Sequence, residues 1–190
     1  VASFLSLALP SALIADGPWL NEFIRGYRDL STRFSCPLLG GDTTSSPDGL
    51  CIDVTVLGSA PAGHSVKRSG ALDGDLVCVS GFIGDSGAGL KLLLGAAPSA
   101  PQACAGFDDG GSAGAYLIGK HCRPVPRVEA GLALAGIPGV HSMMDISDGI
   151  ASDLRHILRA SGLSALVECA SLPFSKELLA VSMLHDWDPL

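Results

Sequence analysis

The period of the apolar residues switches repeatedly along this chain, and that constrains the fold more than any other feature. Residues 3–9 form a short Phe/Leu-rich run that stops at Pro10, which reads as a buried strand. Beyond Asp16-Gly17-Pro18 the period becomes helical. Trp19, Phe23 and Tyr27 recur every four residues, flanked by Leu20, Ile24 and Leu30. Asp16 or Gly17 suits the cap of that helix and Pro18 its first turn, so one apolar face is expected. Residues 37–39 read as a short strand leading into Gly40-Gly41-Asp42-Thr43-Thr44, and Pro47-Asp48-Gly49 as a turn. Residues 50–57 alternate Ile52, Val54 and Val56 with Asp53 and Thr55, the pattern of a half-exposed strand.

Composition shifts at residues 58–63, which hold Pro61 and two glycines. A boundary there divides the chain into residues 1–60 and 61–190. The second part should open with a strand over 75–83 carrying Leu76-Val77-Cys78-Val79, then a helix over 86–94. Residues 95–114, rich in Gly, Ala, Ser and Pro, read as a surface loop. Helices over 115–122 and 128–134 follow, separated by Arg123-Pro124-Val125-Pro126-Arg127. A strand over 140–146, a helix over 149–161 closed by Gly162, a strand over 163–169 and a helix over 176–184 complete the pattern. Strands interleaved with helices define an α/β (α+β) class.

Composition excludes several functions. With 47% hydrophobic and 16% charged residues, disorder is ruled out. Lys and Arg total 12 against 19 Asp and Glu, a net charge of −7, and form no basic run, which argues against nucleic-acid binding. The uncharged stretch 1–15 is shorter than the ~20 residues a membrane helix needs, and Pro10 interrupts it. It has no initiator Met and no basic flank, so it does not read as a secretory signal. Six cysteines without a Cys-x-x-Cys pair read as small buried hydrophobes in a reducing cytosol.

Two motifs carry oxygen-rich chemistry. In Gly40-Gly41-Asp42-Thr43-Thr44 the glycines, at a strand end, let the backbone approach a ligand closely, and an Asp followed by hydroxyls offers hard ligands for Mg²⁺. An ordinary turn with capping Asp and Thr explains the same residues. In Asp145-Ile146-Ser147-Asp148-Gly149 two carboxylates flank a Ser suited to cap the following helix. The helix N-terminus there also favours an anion such as phosphate. Capping alone is again a sufficient account, but two such motifs in one chain shift the balance toward metal. Lys67-Arg68 is the densest basic spot, suited to clamp a phosphate or simply to a solvated turn. Gly84-Asp85-Ser86-Gly87 has the look of a serine-protease nucleophile, but no matching His motif precedes it and the helical interleaving is wrong for that fold. No Walker A or Gly-x-Gly-x-x-Gly motif is present, so any nucleotide phosphate must be held by Asp-bound metals and backbone amides.

In order and spacing, Gly40–Thr44, Arg68-Ser69-Gly70-Ala71, Gly84-Asp85-Ser86, Arg123–Arg127, Asp145–Gly149 and Leu172-Pro173-Phe174-Ser175 resemble the thiamine-monophosphate kinase family. That resemblance implies the two-domain aminoimidazole ribonucleotide synthetase-like fold. It also implies transfer of the ATP γ-phosphoryl to thiamine monophosphate, with Mg²⁺, in a cytoplasmic homodimer. Carried over by motif, Gly41, Asp42, Arg68 and Ser147 would contact ATP, and Asp42, Asp145 and Asp148 would ligate Mg²⁺. The residues that bind thiamine monophosphate are not identified. Ile24 and Ser45 stand where many members carry Tyr and Arg. The family's Asp-rich segment and its Gly-Gly-Glu-Asp segment do not occur in these residues. The expectation is therefore an internal portion, truncated at both ends. A non-catalytic remnant and another ATP-dependent member of the superfamily are the competing readings.

Overall fold

The computed structural model describes residues 1–95 and 112–189. The chain divides into two compact units, Val1–Ser65 and Val66–Leu190. The first contains β1 (Ala2–Pro10), α1 (Ser11–Ala15), α2 (Gly17–Arg33), β2 (Leu38–Ser46) and β3 (Cys51–Leu57). The three strands form one sheet in the order β2-β1-β3. β1 pairs parallel with β2 and antiparallel with β3.

The first apolar run and the four-residue repeat meet as their periods require. Leu5, Leu7 and Leu9 alternate along β1 and are buried, while Phe4, Ser6 and Ala8 point to the opposite face. Trp19, Leu20, Phe23, Ile24 and Tyr27 of α2 cover the three leucines, and Trp19 stacks on Phe23. Full burial of each leucine contributes about 1.5–3 kcal/mol. Asp16 caps α2 by accepting the Trp19 amide at 3.2 Å, and Pro18 lies in the first turn. Leu30, placed on the same face by its spacing, is half exposed.

β2 departs from expectation. The strand does not end at Leu39 but continues through Gly40–Thr44, because those residues pair with β1 from Phe4 to Ala8. The glycines admit the neighbouring strand, and two threonines suit a pleated backbone.

The second unit is largely helical as described: α3 (Asp85–Gly95), α4 (Ala113–Cys122), α5 (Val128–Ala135), α6 (Ile150–Ser161), a 3₁₀ turn at Cys169–Ser171, and α7 (Lys176–His185). Its core is Ala88, Leu117, Leu178 and Val181, packed by Leu92, Tyr116, Phe174 and Trp187. Gly89 allows α3 and α4 to touch: a Cβ there would lie 2.1 Å from the Leu117 carbonyl oxygen. Gly162 ends α6 in the left-handed conformation, as its position implied.

The strands expected over 75–83, 140–146 and 163–169 are absent as strands among the described residues. An apolar run makes a strand only where a ladder partner lies alongside. Here single backbone bonds replace the ladder: Met143 N–H to Lys67 O, and Ile83 N–H to Pro173 O, each 3.0 Å. The apolar side chains stay open, Leu76 at 88% and Leu166 at 91% exposure. The cysteine expectation also fails in part: Cys51, Cys78 and Cys169 are exposed and Cys36 half-buried, all as free thiols. Residues 96–111, most of the expected surface loop, lie outside the described residues. Among the described residues no helix is long and apolar enough to cross a membrane.

Candidate functional site

Asp42 lies within β2, and strand register fixes its neighbours. It is opposite Ser6 of β1, and Ser6 is opposite Asp53 of β3, so Asp42, Ser6 and Asp53 share one row of the sheet. That row is on the face away from α2, and all three side chains are exposed. Asp42 Oδ1 accepts the Thr43 amide at 2.8 Å, leaving the second oxygen free for a ligand. Gly41 approaches β1 closely: a Cβ would fall 1.8 Å from the Leu5 carbonyl oxygen. The close approach expected toward a ligand is instead made to a neighbouring strand. Asp53 was missed by sequence reasoning, because alternation shows a polar face without showing what stands across from it.

In the second unit Asp145, Ile146, Ser147, Asp148 and Gly149 form an exposed loop running into α6. Neither Asp145 nor Asp148 engages its carboxylate in a hydrogen bond or ion pair among the described residues. Ser147 does not cap α6. The N-cap is Gly149, with φ 109° and no side-chain cap bond. Asp153, one turn into the helix and buried, reaches back instead. Its Oδ2 accepts the Ser147 amide at 2.8 Å and the Asp148 amide at 3.1 Å. Its charge also sits at the positive end of α6, where the sequence had pointed to an anion. Asp153 was also missed. Its only trace in the sequence is an Asp in the first turn of an amphipathic helix.

Arg68 is exposed and makes no ion pair among the described residues. The backbone holds its segment in place. Lys67 O accepts the Met143 amide, and the Gly70 and Ala71 amides both donate to Ser161 Oγ at 3.2 Å. Arg68 therefore lies on a segment braced against the one leading into Asp145. His141 Nδ1 and Asp75 Oδ2, 2.9 Å apart, share a hydrogen bond in the same region. The Leu72 amide and His141 together hold the Asp75 carboxyl below its ordinary value.

Ser86 Oγ is 3.1 Å from His121 Nδ1, with Ser86 exposed and His121 half-buried. The adjacent Asp85 does not orient that histidine. It is buried and accepts from Ser175 Oγ at 2.6 Å, while Ser175 also accepts the Leu178 amide and caps α7. Burial, and next the Asp85 charge, push the Tyr116 hydroxyl above its ordinary pKa. Asp85 thus ties the start of α3 to the start of α7, and among the described residues Ser86 and His121 are joined by no triad Asp.

Among the described residues no three His, Cys, Asp or Glu side chains converge on one metal position. Mg²⁺ does not need such a cage. It keeps several waters and takes one or two carboxylates together with substrate phosphates. Exposed hard oxygens at Asp42 in one unit, and at Asp145 and Asp148 in the other, fit that partial mode.

The model of the AIR synthase related protein N-terminal domain matches residues 1–60, and that of the C-terminal domain residues 73–189. The thiamine-monophosphate kinase of Salmonella typhimurium is 39% identical over 175 residues, covering 92% of this chain and 49% of that protein. That of Bacillus subtilis is 37% identical over 178 residues, covering 92% and 50%. The crystal structure of thiamine monophosphate kinase from Aquifex aeolicus matches with a TM-score of 0.83 and 29% identity, over 99% of this chain and 58% of that one. AaThiL complexed with AMPPCP and TMP matches with a TM-score of 0.79 and 28% identity, over 99% and 55%. The chain spans about half the length of the curated relatives it matches.

Proposed function

The chain belongs to the AIR synthase related family, and from that membership we propose that it serves the ATP- and Mg²⁺-dependent phosphorylation of thiamine monophosphate to thiamine diphosphate. The observation that carries the reading is its 39% identity, over 92% of its length, to an enzyme of that name. The complex of a related protein with AMPPCP and TMP supports ATP and thiamine monophosphate as the two substrates.

In this reading Asp42, Asp145 and Asp148 hold Mg²⁺. Gly41, Asp42 and Ser147 contact ATP, and Arg68 meets a phosphate oxygen. The bound Mg²⁺ would neutralise phosphate charge as the γ-phosphoryl moves. The acceptor phosphate is already an anion, so no residue has to remove a proton from it. The protein's part is positioning and charge neutralisation. Residues 1–60 and 61–190 act as the two domains of this reading. We further read the protein as cytoplasmic and as a homodimer, with the open edge of β3 and its exposed Ile52, Val54 and Val56 as the contact.

Calorimetry of MgATP with the chain, alongside Asp42→Ala and Asp148→Ala, tests the metal assignment. Both variants should bind MgATP more weakly, and unchanged affinity in both sinks it. Chromatography of the products tests the reaction. Thiamine diphosphate formed from thiamine monophosphate supports the kinase reading, and saturable MgATP binding without it points to a non-catalytic remnant. Turnover only of an aminoimidazole or formylglycinamidine precursor would move the chain to another reaction of the superfamily.

A further inference from the structure

Asp153 is 2% exposed, yet it lies against a fully exposed loop. A buried carboxylate carries a heavy desolvation cost unless its oxygens are satisfied. Here one oxygen receives two consecutive amides, those of Ser147 and Asp148. Both amides are turned toward Asp153, while Asp145, Ser147 and Asp148 are themselves exposed. Gly149, at φ 109°, supplies the backbone turn that returns the chain to α6.

We propose that Asp153 is a positioning residue. Its buried carboxylate fixes the two peptides on either side of Ser147, and so presents Asp145 and Asp148 to a divalent cation while adding a third negative charge behind them. This rests on the metal reading given above. Asp153 is buried behind the exposed loop and is assigned no ligand role. Partners of this kind behind metal ligands are worth about 10–100-fold in metal affinity.

The test uses the chain with Mn²⁺ as probe, in the absence of nucleotide. Free Mn²⁺ is followed by electron paramagnetic resonance and the Ser147 and Asp148 amides by hydrogen exchange. In the unaltered protein both amides should be protected although their loop is exposed. Asp153→Ala should remove that protection and weaken Mn²⁺ binding about 10-fold or more. Asp153→Asn keeps an acceptor oxygen and should retain most of the protection, with an intermediate affinity. It also stands in if the alanine variant does not fold. Free exchange of both amides in the unaltered protein overturns the proposal. So does wild-type Mn²⁺ affinity in both Asp153 variants where Asp148→Ala has lost it. If Asp145→Ala and Asp148→Ala leave Mn²⁺ binding unchanged, the metal reading fails, and amide protection alone decides the role of Asp153.

Discussion

Replacing Gly41 by alanine puts a methyl group where the sheet has no room. The new Cβ would lie 1.8 Å from the Leu5 oxygen, 2.6 Å from its carbonyl carbon and 2.9 Å from its nitrogen. All three are backbone atoms of the central strand, so no side chain can swing aside. Relief requires β1 and β2 to separate locally by more than an ångström. That breaks about two ladder hydrogen bonds, at roughly 1 kcal/mol each. A non-glycine residue held at φ 155° adds about 1–3 kcal/mol of strain. The expected loss is roughly 3–5 kcal/mol. For a unit the size of Val1–Ser65, a melting temperature moves about 4–8 °C per kcal/mol. A scan by circular dichroism should therefore show a drop of roughly 10 °C or more. Gly40→Ala is the control: its Cβ would meet only the Phe4 ring at 3.5 Å, an ordinary contact. The reasoning is refuted if Gly41→Ala melts with the unaltered protein, or if Gly40→Ala falls as far.

Other outcomes follow from the same geometry. Leu117 is fully buried between α3 and α7, so Leu117→Ala should cost about 2–5 kcal/mol in urea denaturation. Ser182 Oγ is buried without a hydrogen-bond partner, so Ser182→Ala should leave stability unchanged or raise it by up to about 1 kcal/mol in the same assay. Asp75 has a lowered pKa, so its contribution is present above the unfolded value of about 3.9 and is lost as pH falls through the folded one. In a carbon-13 NMR titration, His141→Ala should move the Asp75 midpoint up toward the ordinary value. Val54→Asp, in the exposed row of β3, should shift sedimentation toward the monomer if that strand is the dimer contact.

Where local chemistry decides, sequence was enough. Asp16 before Pro18, the repeat from Trp19 to Tyr27, and Gly162 after Ser161 each announce a cap, a face or a stop that involves only near neighbours. The strand that carries Asp42 reads as shorter than it is, because two glycines look like a turn when the partner strand is not in view. In the second unit, Leu76-Val77-Cys78-Val79 has the composition of a buried strand, but composition carries no information about a ladder partner. The candidate site divides the same way. Asp42, Asp145 and Asp148 stand in motifs. Asp153 bonds to the loop before it, and Asp53 enters the row of Asp42 through a register that only pairing with β1 creates.

The order β2-β1-β3 also governs how the first unit acquires its structure. β2 and β3 are consecutive in sequence and separated by one short turn, yet they are not neighbours in the sheet. The fast local route, a hairpin between them, does not lie on the way to the native state. Each ladder must instead close a loop between β1 and a distant segment, and the entropy of that closure is lost before any strand contact compensates it. β1 belongs to both ladders, so neither edge strand has a place without it. The native sheet of this unit therefore rests on contacts distant in sequence, with β1 as the strand both ladders share.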